Sequence, residues 1–541
     1  MIRLLQEWVT REAERRPDTT AVVLGGERYT YGQLDTYSNM LAHALREAGC
    51  ERGDRVALLL PKSPMTVVSL LGALKADACY VPLDTLSPAP RIAKIVESAQ
   101  PRLILTGARG ATTLRLLLED GRLRNSVRIG WLEADGGAGA PCQPTFTLDD
   151  VRRRPAAPLA YANTPTDRAH ILYTSGSTGT PKGVAIIHSS VIHFVQWAKG
   201  YFGLTASDRM SGHSPFHFDL STFDLFGTFA AGAQLHLVPP ELNVVPHRLA
   251  HFIREAHLTQ WFSVPSVLAL MAQLDVVRPG DFPTLKRLLW CGEVFPTRAL
   301  RYWMTRLPHV AFTNLYGPTE ATIASSYYTV PRCPADDAEP VPIGRPCAGE
   351  ELLVLDDAQR PVAPGAVGDL YIRGVGVSPG YWRDPEKTRA VFLPGPAGPD
   401  DRLYRTGDLA RLGEDGLVYF LGRADSQIKA RGYRIELGEI EAALQTLPEL
   451  EESAVVARRA AGFEGTTICC AYVPRPGAAV TPMTLRNALG RLLPAYMLPT
   501  EWRAYGRLAR NANGKIDRAR IRDEWDREQP AGSLASEQRE A

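Results

Sequence analysis

Short apolar runs alternate along the chain with longer stretches that have helical periodicity. Residues 56–60 and 103–106 have the length and β-branched composition of buried strands, whereas residues 65–76 and 91–99 have the length and spacing of helices. A further apolar run at residues 169–173 contains one histidine and predicts another strand. Strands that alternate with helices are typical of an α/β fold. The sequence therefore predicts an α/β protein.

Length and composition narrow the class of protein. At 541 residues the chain is too long for one core and should form two or more domains. Its 45% hydrophobic and 22% charged residues are ordinary for a globular protein. A net charge of +2 gives no reason to expect a nucleic-acid or membrane surface, and the longest apolar runs, such as 67–74, are too short to cross a bilayer.

The first residues of the chain and its cysteines indicate where in the cell the protein is located. The first 16 residues mix Arg and Glu with Leu and Trp, which argues against a secretory signal. Eight cysteines are scattered without metal-ligand spacing, so we expect reduced thiols, a cytoplasmic protein and no structural zinc. The glycine-rich residues 134–145 predict an exposed loop.

A loop of small and hydroxylated residues follows the strand at 169–173. Its glycines let the backbone approach an anion, its hydroxyl groups can donate hydrogen bonds, and its single lysine adds a positive charge. These residues are Thr174, Ser175, Gly176, Ser177, Thr178, Gly179, Thr180, Lys182 and Gly183. The spacing is not that of a Walker loop. A phosphate-binding loop is favoured over a surface Ser/Gly linker, because linkers rarely follow a buried strand.

This loop resembles the phosphate-binding signature of the adenylate-forming superfamily, which includes acyl-CoA synthetases, luciferases and the adenylation domains of nonribosomal peptide synthetases. All ten core motifs of such adenylation domains are recognisable between Tyr29 and Arg518. Besides the loop, they include residues 28–34, 74–84, 213–226, 314–320, 368–376, 404–409, 422–436, 493–499 and 513–518. Their order and number make the resemblance specific.

The resemblance implies a large N-terminal adenylation core of several subdomains, followed by a small mobile α+β domain. We place the core at residues 1–424, the small catalytic domain at 425–528 and a disordered tail at 529–541. Asp425 matches the family's hinge, and Lys515 matches the mobile catalytic lysine, which would stabilise charge that develops on the α-phosphate. Read in isolation, Lys515 would be an exposed turn residue.

ATP and Mg²⁺ are the cofactors that the resemblance implies. Tyr316 would pack on adenine, Glu320 would hold the metal, Asp408 would accept from the ribose hydroxyls, and Arg423 would approach ribose or phosphate. With Lys182 and Lys515, Glu320 completes the predicted catalytic set. The predicted nucleotide-binding residues are Thr174, Ser175, Gly176, Ser177, Thr178, Gly179, Lys182, Asn314, Tyr316, Gly317, Thr319, Asp408 and Arg423.

The family's pocket positions can also be carried onto this chain. The predicted substrate-binding residues are Asp219, Leu220, Phe223, Ser263, Leu289, Cys291, Gly292, Leu315, Ile323, Ala324 and Lys515. Asp219 matches the aspartate that binds an α-ammonium group, which indicates an amino acid. The alternative for Asp219 alone is a helix cap or surface residue. The other side chains are uncharged and several are large, so the pocket should be small and should disfavour charged substrates.

The implied reaction is ATP-dependent formation of an aminoacyl adenylate, followed by transfer to the phosphopantetheine thiol of a carrier protein. Too few residues follow Lys515 for a carrier domain, so we expect a free-standing ligase with a separate carrier; an excised domain would look the same. The motifs look closest to D-alanine:carrier-protein ligases and to discrete ligases of peptide or macrolactam biosynthesis. Alanine is the predicted substrate, and glycine, serine and proline are the alternatives. The motifs do not determine whether the substrate is an L- or a D-amino acid.

Three alternatives remain at this stage. The first is a D-alanine ligase of cell-wall modification or an L-prolyl-carrier ligase, which shares the reaction. The second is an acyl- or aryl-CoA ligase, which Asp219 speaks against. The third is a non-catalytic homologue, which the presence of Lys182, Glu320, Asp408 and Arg423 disfavours.

Overall fold

The computed structural model describes residues 2–121, 123, 127–176, 179–395, 398–425, 427–430, 432–459, 466–510 and 516–527. The chain forms two compact units. The large unit consists of Met1–Thr174 and Pro181–Asp425, and the small unit of Ser175–Thr180 and Ser426–Ala541. The division therefore follows Asp425, next to the expected domain boundary. The mixed α/β architecture, with a large N-terminal and a smaller C-terminal part, confirms the predicted fold class.

The large unit contains 22 of the described strands. In chain order they are β1 (Thr20–Leu24), β2 (Glu27–Thr30), β3 (Arg55–Leu59), β4 (Cys79–Pro82), β5 (Leu103–Thr106), β6 (Arg128–Trp131), β7 (Phe146–Thr147), β8 (Arg168–Thr174), β9 (Lys182–Ile187), β10 (Arg209–Gly212), β11 (Gln234–Leu237), β12 (Gln260–Ser263), β13 (Arg287–Trp290), β14 (Ala311–Tyr316), β15 (Ser326–Thr329), β16 (Arg345–Pro346), β17 (Glu350–Leu355), β18 (Val367–Gly374), β19 (Gly380–Tyr381), β20 (Phe392–Gly395), β21 (Gly398–Leu412) and β22 (Val418–Arg423).

Twelve α-helices of the large unit connect and cover these strands. They are α1 (Glu7–Arg15), α2 (Tyr31–Glu47), α3 (Pro64–Lys75), α4 (Ala89–Ala99), α5 (Ala111–Glu119), α6 (Leu148–Arg152), α7 (His188–Phe202), α8 (Leu220–Ala231), α9 (Pro246–Glu255), α10 (Pro265–Gln273), α11 (Thr297–Arg306) and α12 (Pro385–Val391). Short 3₁₀ turns lie at Ala108–Gly110, Pro240–Val244 and Thr319–Ala321.

Three sheets organise the large unit. The strand orders are β19-β9-β8-β4-β3-β5-β6-β7, β16-β15-β14-β13-β12-β10-β11-β1-β2 and β17-β18-β21-β20, with β22 paired to β21. The first two sheets have parallel centres, formed by β4-β3-β5 and by β13-β12-β10. Helices α2, α3, α7 and α8 contribute buried apolar side chains to a core shared with strands of both sheets. Parallel strands end at the same edge, and this edge positions the site described below.

The predicted elements fall close to the observed ones. The strand at 103–106 is β5, that at 56–60 is β3 shifted by one residue, and that at 169–173 lies inside β8. Helix α3 starts earlier than expected because Ser63 caps it by accepting from the amide of Thr66, and Pro64 takes the first helical position. The predicted loop at 134–145 lies between β6 and β7, outside any strand or helix.

The small unit is an α+β structure. Its described elements are β23 (Gln427–Ala430), β24 (Tyr433–Glu436), α13 (Leu437–Leu444), β25 (Leu450–Arg459), β26 (Thr466–Pro474), α14 (Pro482–Gly490), β27 (Glu501–Ala504) and α15 (Arg518–Arg527), with a 3₁₀ turn at Ala495–Met497. Strands β23 and β24 form a hairpin, and β25-β26-β27 form a second sheet. The expected tail at 529–541 lies outside the described residues.

Three further observations concern membrane-spanning helices, cysteines and metal-binding clusters. None of the helices in the described part of the chain has the length and apolarity needed to span a membrane. All eight cysteines are free thiols. No set of three His, Cys, Asp or Glu side chains that could hold a metal ion converges among the described residues.

Buried histidines couple folding of the large unit to pH. Burial lowers the pKa of His170 and of His213 to about 3, and that of His188 and of His236 to about 4. In the unfolded chain these imidazoles titrate near 6.5. Below that pH the unfolded state therefore binds protons that the folded state does not, and stability falls as the pH falls.

We expect each such histidine to lower the free energy of unfolding by about 2 kcal/mol between pH 7 and pH 5, with a slope that approaches about 1.4 kcal/mol per pH unit towards pH 5. Denaturant titrations at several pH values measure this slope. His170→Gln should reduce this slope by up to one proton near pH 5. An unchanged slope in His170→Gln would contradict the assignment.

Candidate active site

Strands β8 and β9 place two of the predicted phosphate-binding residues side by side. Thr174 ends β8, Lys182 begins β9, and the two are paired in register. The hydroxyl oxygen of Thr174 is buried and has no hydrogen-bond partner in the described structure. The Lys182 ammonium lies 5.3 Å from the ring centroid of Tyr381. A buried hydroxyl beside an ammonium group suits a phosphate oxygen.

The remainder of the predicted phosphate loop belongs to the small unit. There the Ser175 hydroxyl donates to the backbone carbonyl of Arg434 at 2.7 Å. Gly179 has a φ of 76°, a left-handed conformation for which glycine is the natural choice. Ser177, Thr178 and Lys515 lie outside the described residues.

Glu320 lies in the 3₁₀ turn after β14 and is fully buried. The phenol of Tyr381 donates to its Oε1 at 2.7 Å, and the amide of Ser378 donates to its backbone carbonyl at 2.8 Å. Tyr381 therefore contacts both predicted catalytic residues of the large unit. Its hydroxyl binds Glu320, and its ring faces the ammonium group of Lys182. No chemical pattern in residues 380–382 indicates this role, which depends on the pairing of β19 with β9.

Tyr316, Asp408 and Arg423 come from three different strands and form one hydrogen-bonded group. The Tyr316 phenol donates to Asp408 Oδ2 at 2.5 Å, and Arg423 Nη1 donates to Asp408 Oδ1 at 2.7 Å. Asp408 and Arg423 are also register partners on β21 and β22. Burial, with the Asp408 carboxylate nearby, raises the pKa of Tyr316 well above its usual value, so its hydroxyl stays a donor.

Two other predicted nucleotide-binding residues, Asn314 and Gly317, make contacts that support the fold. The Asn314 amide donates to the carbonyl of Pro342 at 2.8 Å. A Cβ at Gly317 would stand 2.5 Å from the Cα of Ala324, so only glycine permits this close approach of two backbone segments. Gly317 thereby brings the end of β14 against the segment that carries two of the predicted pocket residues, Ile323 and Ala324.

Asp219 precedes α8 and is partly buried. The Thr319 hydroxyl donates to its Oδ2 at 2.8 Å. Thr319 is predicted to contact the nucleotide, and in the structure its hydroxyl is bonded to the residue predicted to bind the substrate. A neutral hydroxyl fixes the orientation of this carboxylate and leaves its negative charge in place.

The remaining predicted pocket residues are brought together at the carboxyl edge of the second sheet. Ser263 ends β12, Cys291 follows β13 and Leu315 stands near the end of β14, three adjacent parallel strands. Phe223 of α8 packs edge-on against Phe262, with ring centroids 5.9 Å apart. The buried members are Leu220, Phe223, Ser263, Leu289, Cys291, Leu315, Ile323 and Ala324, and Gly292 follows Cys291.

The backbone is strained at the predicted pocket residue Ile323 and at its neighbour Thr322. Thr322 and Ile323 have φ values of 54° and 72°, a left-handed conformation that β-branched residues avoid. The Thr322 hydroxyl donates to the carbonyl of Gly376 at 2.6 Å, which holds the turn in place. Such strain costs on the order of 1–3 kcal/mol per residue and is often found at functional sites. No pattern in the sequence indicates it.

The donor set around Glu320 suits one divalent cation. Mg²⁺ takes one or two protein carboxylates and completes its shell with water and phosphate oxygens. A single buried carboxylate that one tyrosine orients fits this requirement. A structural zinc site would need several converging ligands instead.

Two family models match the chain. The model described as AMP-binding enzyme matches residues 9–382, and the model described as AMP-binding enzyme C-terminal domain matches residues 439–515. L-proline--[L-prolyl-carrier protein] ligase of Streptomyces coelicolor is 37% identical over 530 residues, which cover 96% of each chain. Novobiocin biosynthesis protein H of Streptomyces niveus is 34% identical, over 98% of this chain and 84% of that protein. Surfactin synthase subunit 2 of Bacillus subtilis is 36% identical, but the chain spans only 13% of its length.

Solved structures share the fold along nearly the whole chain. The Vibrio cholerae adenylation domain AlmE, crystallised with glycyl-adenosine-5'-phosphate, matches with a TM-score of 0.83 and 25% identity, over 97% of this chain and 98% of that chain. PA1221, described as a nonribosomal peptide synthetase protein containing adenylation and PCP domains, matches with a TM-score of 0.77 and 27% identity, over 96% and 84% of the two chains.

Glu320 is the predicted Mg²⁺ ligand, so removing the hydroxyl that orients it should weaken metal binding. For Tyr381→Phe we expect the Mg²⁺ concentration that half-saturates ATP binding to rise by about tenfold, since a hydrogen bond to a charged group is worth roughly 1.5–3 kcal/mol. Isothermal titration of ATP at increasing Mg²⁺ measures this shift. Tyr31→Phe, which also loses a buried phenol hydrogen bond, to Ala233, serves as the control and should show no shift. An equal shift of the half-saturating Mg²⁺ concentration in the two variants would contradict the role given to Tyr381.

Proposed function

The chain belongs to the AMP-binding enzyme family and is an adenylate-forming ligase, and from this premise we propose that it activates a small neutral amino acid. In this proposal the enzyme forms the aminoacyl adenylate and then transfers the aminoacyl group to the phosphopantetheine thiol of a separate carrier protein. The observation that carries the proposal is the Asp219 carboxylate, which Thr319 orients beside α8 and the buried, uncharged pocket residues.

In the first half-reaction a carboxylate oxygen of the amino acid forms a bond to the α-phosphorus of ATP, and the bond from that phosphorus to the pyrophosphate oxygen breaks. Thr174 and Lys182 would bind phosphate oxygens. Asp408, oriented by Tyr316 and Arg423, would accept from the ribose hydroxyls. Bound Mg²⁺ would neutralise negative charge on the phosphates, and Glu320 is the residue that would hold it. Lys515 is the proposed catalytic lysine.

In the second half-reaction the thiolate of the carrier forms a bond to the carbonyl carbon, and the bond to the adenylate oxygen breaks, which releases AMP. The chemistry requires no nucleophile from the protein, because the incoming thiol supplies it. The resemblance of the chain to a prolyl-carrier ligase and to PA1221 over most of its length supports a carrier protein as the acceptor.

The size of the pocket residues supports a small side chain. Phe223, Leu289 and Leu315 are large side chains, each at most 2% exposed, and they would leave little room for a bulky substrate. A charged substrate side chain would lose its hydration without a partner in this set. Alanine is our first candidate. L-proline is the second, because a relative that shares 37% of its residues is named for prolyl transfer. Glycine and serine follow, since one methylene changes binding by only about 1–3 kcal/mol.

Amino-acid-dependent exchange of pyrophosphate into ATP tests the activation step. We expect the highest rate with L-alanine or another small neutral amino acid from a panel of the twenty L-amino acids, D-alanine and small non-protein acids, and a loss of at least 100-fold in Lys515→Ala. A peak with a large or charged amino acid would overturn the pocket assignment. Exchange with no amino acid, together with CoA thioester formation from an aryl or fatty acid, would replace the proposal with a CoA ligase.

Asp425 is the proposed hinge for a domain rotation between the two half-reactions. It is the last residue of the large unit, and Arg423 donates to its two carboxylate oxygens at 2.8 and 2.6 Å. Proline removes the freedom of φ at this position, whereas alanine removes only the carboxylate.

Asp425→Pro should therefore retain pyrophosphate exchange and lose at least tenfold in the rate of thioester formation on the carrier, because only the second step needs the rotation. Asp425→Ala is the matched control and should retain both rates to within about threefold. Quenched-flow measurement of carrier loading gives the second rate. Normal loading by the proline variant would remove Asp425 from this role.

A further inference from the structure

A lysine and an aspartate on two separate elements meet the backbone at the end of β10. Lys62 lies in the connection between β3 and α3, and Asp224 lies in the first half of α8. The Lys62 ammonium donates to the carbonyl of Gly212 at 2.8 Å and to that of His213 at 2.7 Å. Both carbonyls belong to the point where β10 ends and the chain turns towards Asp219. The lysine thus fixes the start of that segment.

Asp224 lies near the same stretch of backbone. It is 2% exposed, and no hydrogen bond of good geometry reaches its carboxylate oxygens in the described structure, although the amides of Ser214 and His213 lie nearby. Burial raises the pKa of Asp224 well above its usual value, while the Lys62 ammonium and the amides of Ser214 and His213 oppose that rise. Burial likewise lowers the pKa of Lys62 to about 7, against the attraction of Asp224. The two groups therefore form an interacting pair around residues 212–214.

This pair stands at both ends of the segment that presents Asp219. Lys62 binds the backbone where the segment leaves β10, and Asp224 belongs to the helix that starts directly after Asp219. A hydrogen bond of 2.8 Å between His213 Nε2 and Asn243 Oδ1 adds a third tie at the start. Helix α8 also carries Leu220 and Phe223, so the position of the segment sets the position of the whole substrate side of the site.

Stability alone gives little reason for such a pair. Taking a charge out of water costs several kcal/mol where burial is complete, as at Asp224, and less at the partly buried Lys62, and apolar residues of similar volume often serve a protein core equally well. A buried carboxyl group without hydrogen bonds adds to that cost. The cost is understandable if the pair fixes the geometry of a functional segment, since displacement of a binding group by about 1 Å can reduce activity by about 100-fold.

We propose that Lys62 and Asp224 are positioning residues that hold the segment 213–219, and through it the Asp219 carboxylate, in place for the ammonium group of the amino acid. This inference rests on the proposed function, because it assumes an amino acid as the substrate. The residues assigned to ATP, among them Lys182, Asp408 and Arg423, lie on other strands. Loss of the pair should therefore affect recognition of the amino acid and spare that of ATP.

The test is a comparison of KM values in the pyrophosphate exchange assay with the full-length chain. In Lys62→Met and in isosteric Asp224→Asn, we expect the KM for the amino acid to rise at least tenfold and the KM for ATP to stay within twofold of the wild type. The KM of the double variant for the amino acid should be no higher than that of the more affected single variant, because both substitutions disrupt the same Lys62–Asp224 pair. Lys62→Arg, which keeps the positive charge, should restore much of the amino acid affinity.

Lys75→Met is the matched control for loss of a buried ion pair. The Lys75 ammonium is buried and donates to Asp35 Oδ1 at 2.6 Å and to Asn39 Oδ1 at 2.7 Å, on α2 and away from residues 213–219. This variant should lower the denaturation midpoint and leave the KM for the amino acid unchanged.

Three results would overturn the inference. They are a parallel rise of both KM values in the Lys62 or Asp224 variants, an equal rise for the amino acid in Lys75→Met, or wild-type KM values in Asp224→Asn. If Lys62→Met does not fold, the KM values of Asp224→Asn decide the question. Failure of the proposed function is distinguishable, because the wild-type enzyme would then show no exchange that depends on an amino acid.

Discussion

A hydroxyl group donates a hydrogen bond to each of three carboxylates on which the candidate site depends. Tyr381 donates to Glu320, Tyr316 to Asp408 and Thr319 to Asp219. A hydroxyl fixes the direction of a carboxylate without adding a charge of its own. At Asp408 the guanidinium of Arg423 contacts the other carboxylate oxygen, so the tyrosine and the arginine together set the orientation of that group. The roles predicted for these three carboxylates, which are to hold a metal ion, to accept from ribose hydroxyls and to bind an ammonium group, all require such a fixed direction.

The geometry that makes these contacts possible comes from the sheets. The parallel strands β12, β13 and β14 end at one edge, so residues that are 28 and 24 positions apart in sequence, Ser263, Cys291 and Leu315, become neighbours there. The pairing of β19 with β9 in the other sheet brings Tyr381 to Lys182 and to Glu320. The site therefore depends on the long-range topology more than on any single motif.

Much of the fold could be predicted from sequence, because short β-branched runs and helical periodicity are local properties. Strand β5 was predicted to the residue, and the family motifs indicated both parts of the chain. Tyr381 was missed because its partners lie 61 and 199 residues away and its own motif has no chemical pattern. Lys62 and Asp224 were missed for a related reason. A lysine after a strand and an aspartate in a helix are common on protein surfaces, and only the tertiary structure shows that Asp224 is buried and that the partly buried Lys62 interacts with it.

The left-handed turn at Thr322 and Ile323 has a consequence for changes of specificity. Most substitutions in a binding pocket remove packing and lower the stability of the fold. At Ile323 a smaller residue, above all glycine, would also release backbone strain, and this gain offsets part of the packing that is lost. Residues 322–324, two of which are predicted pocket residues, are therefore positions where a substitution costs the fold comparatively little, which makes them a natural starting point for redesign.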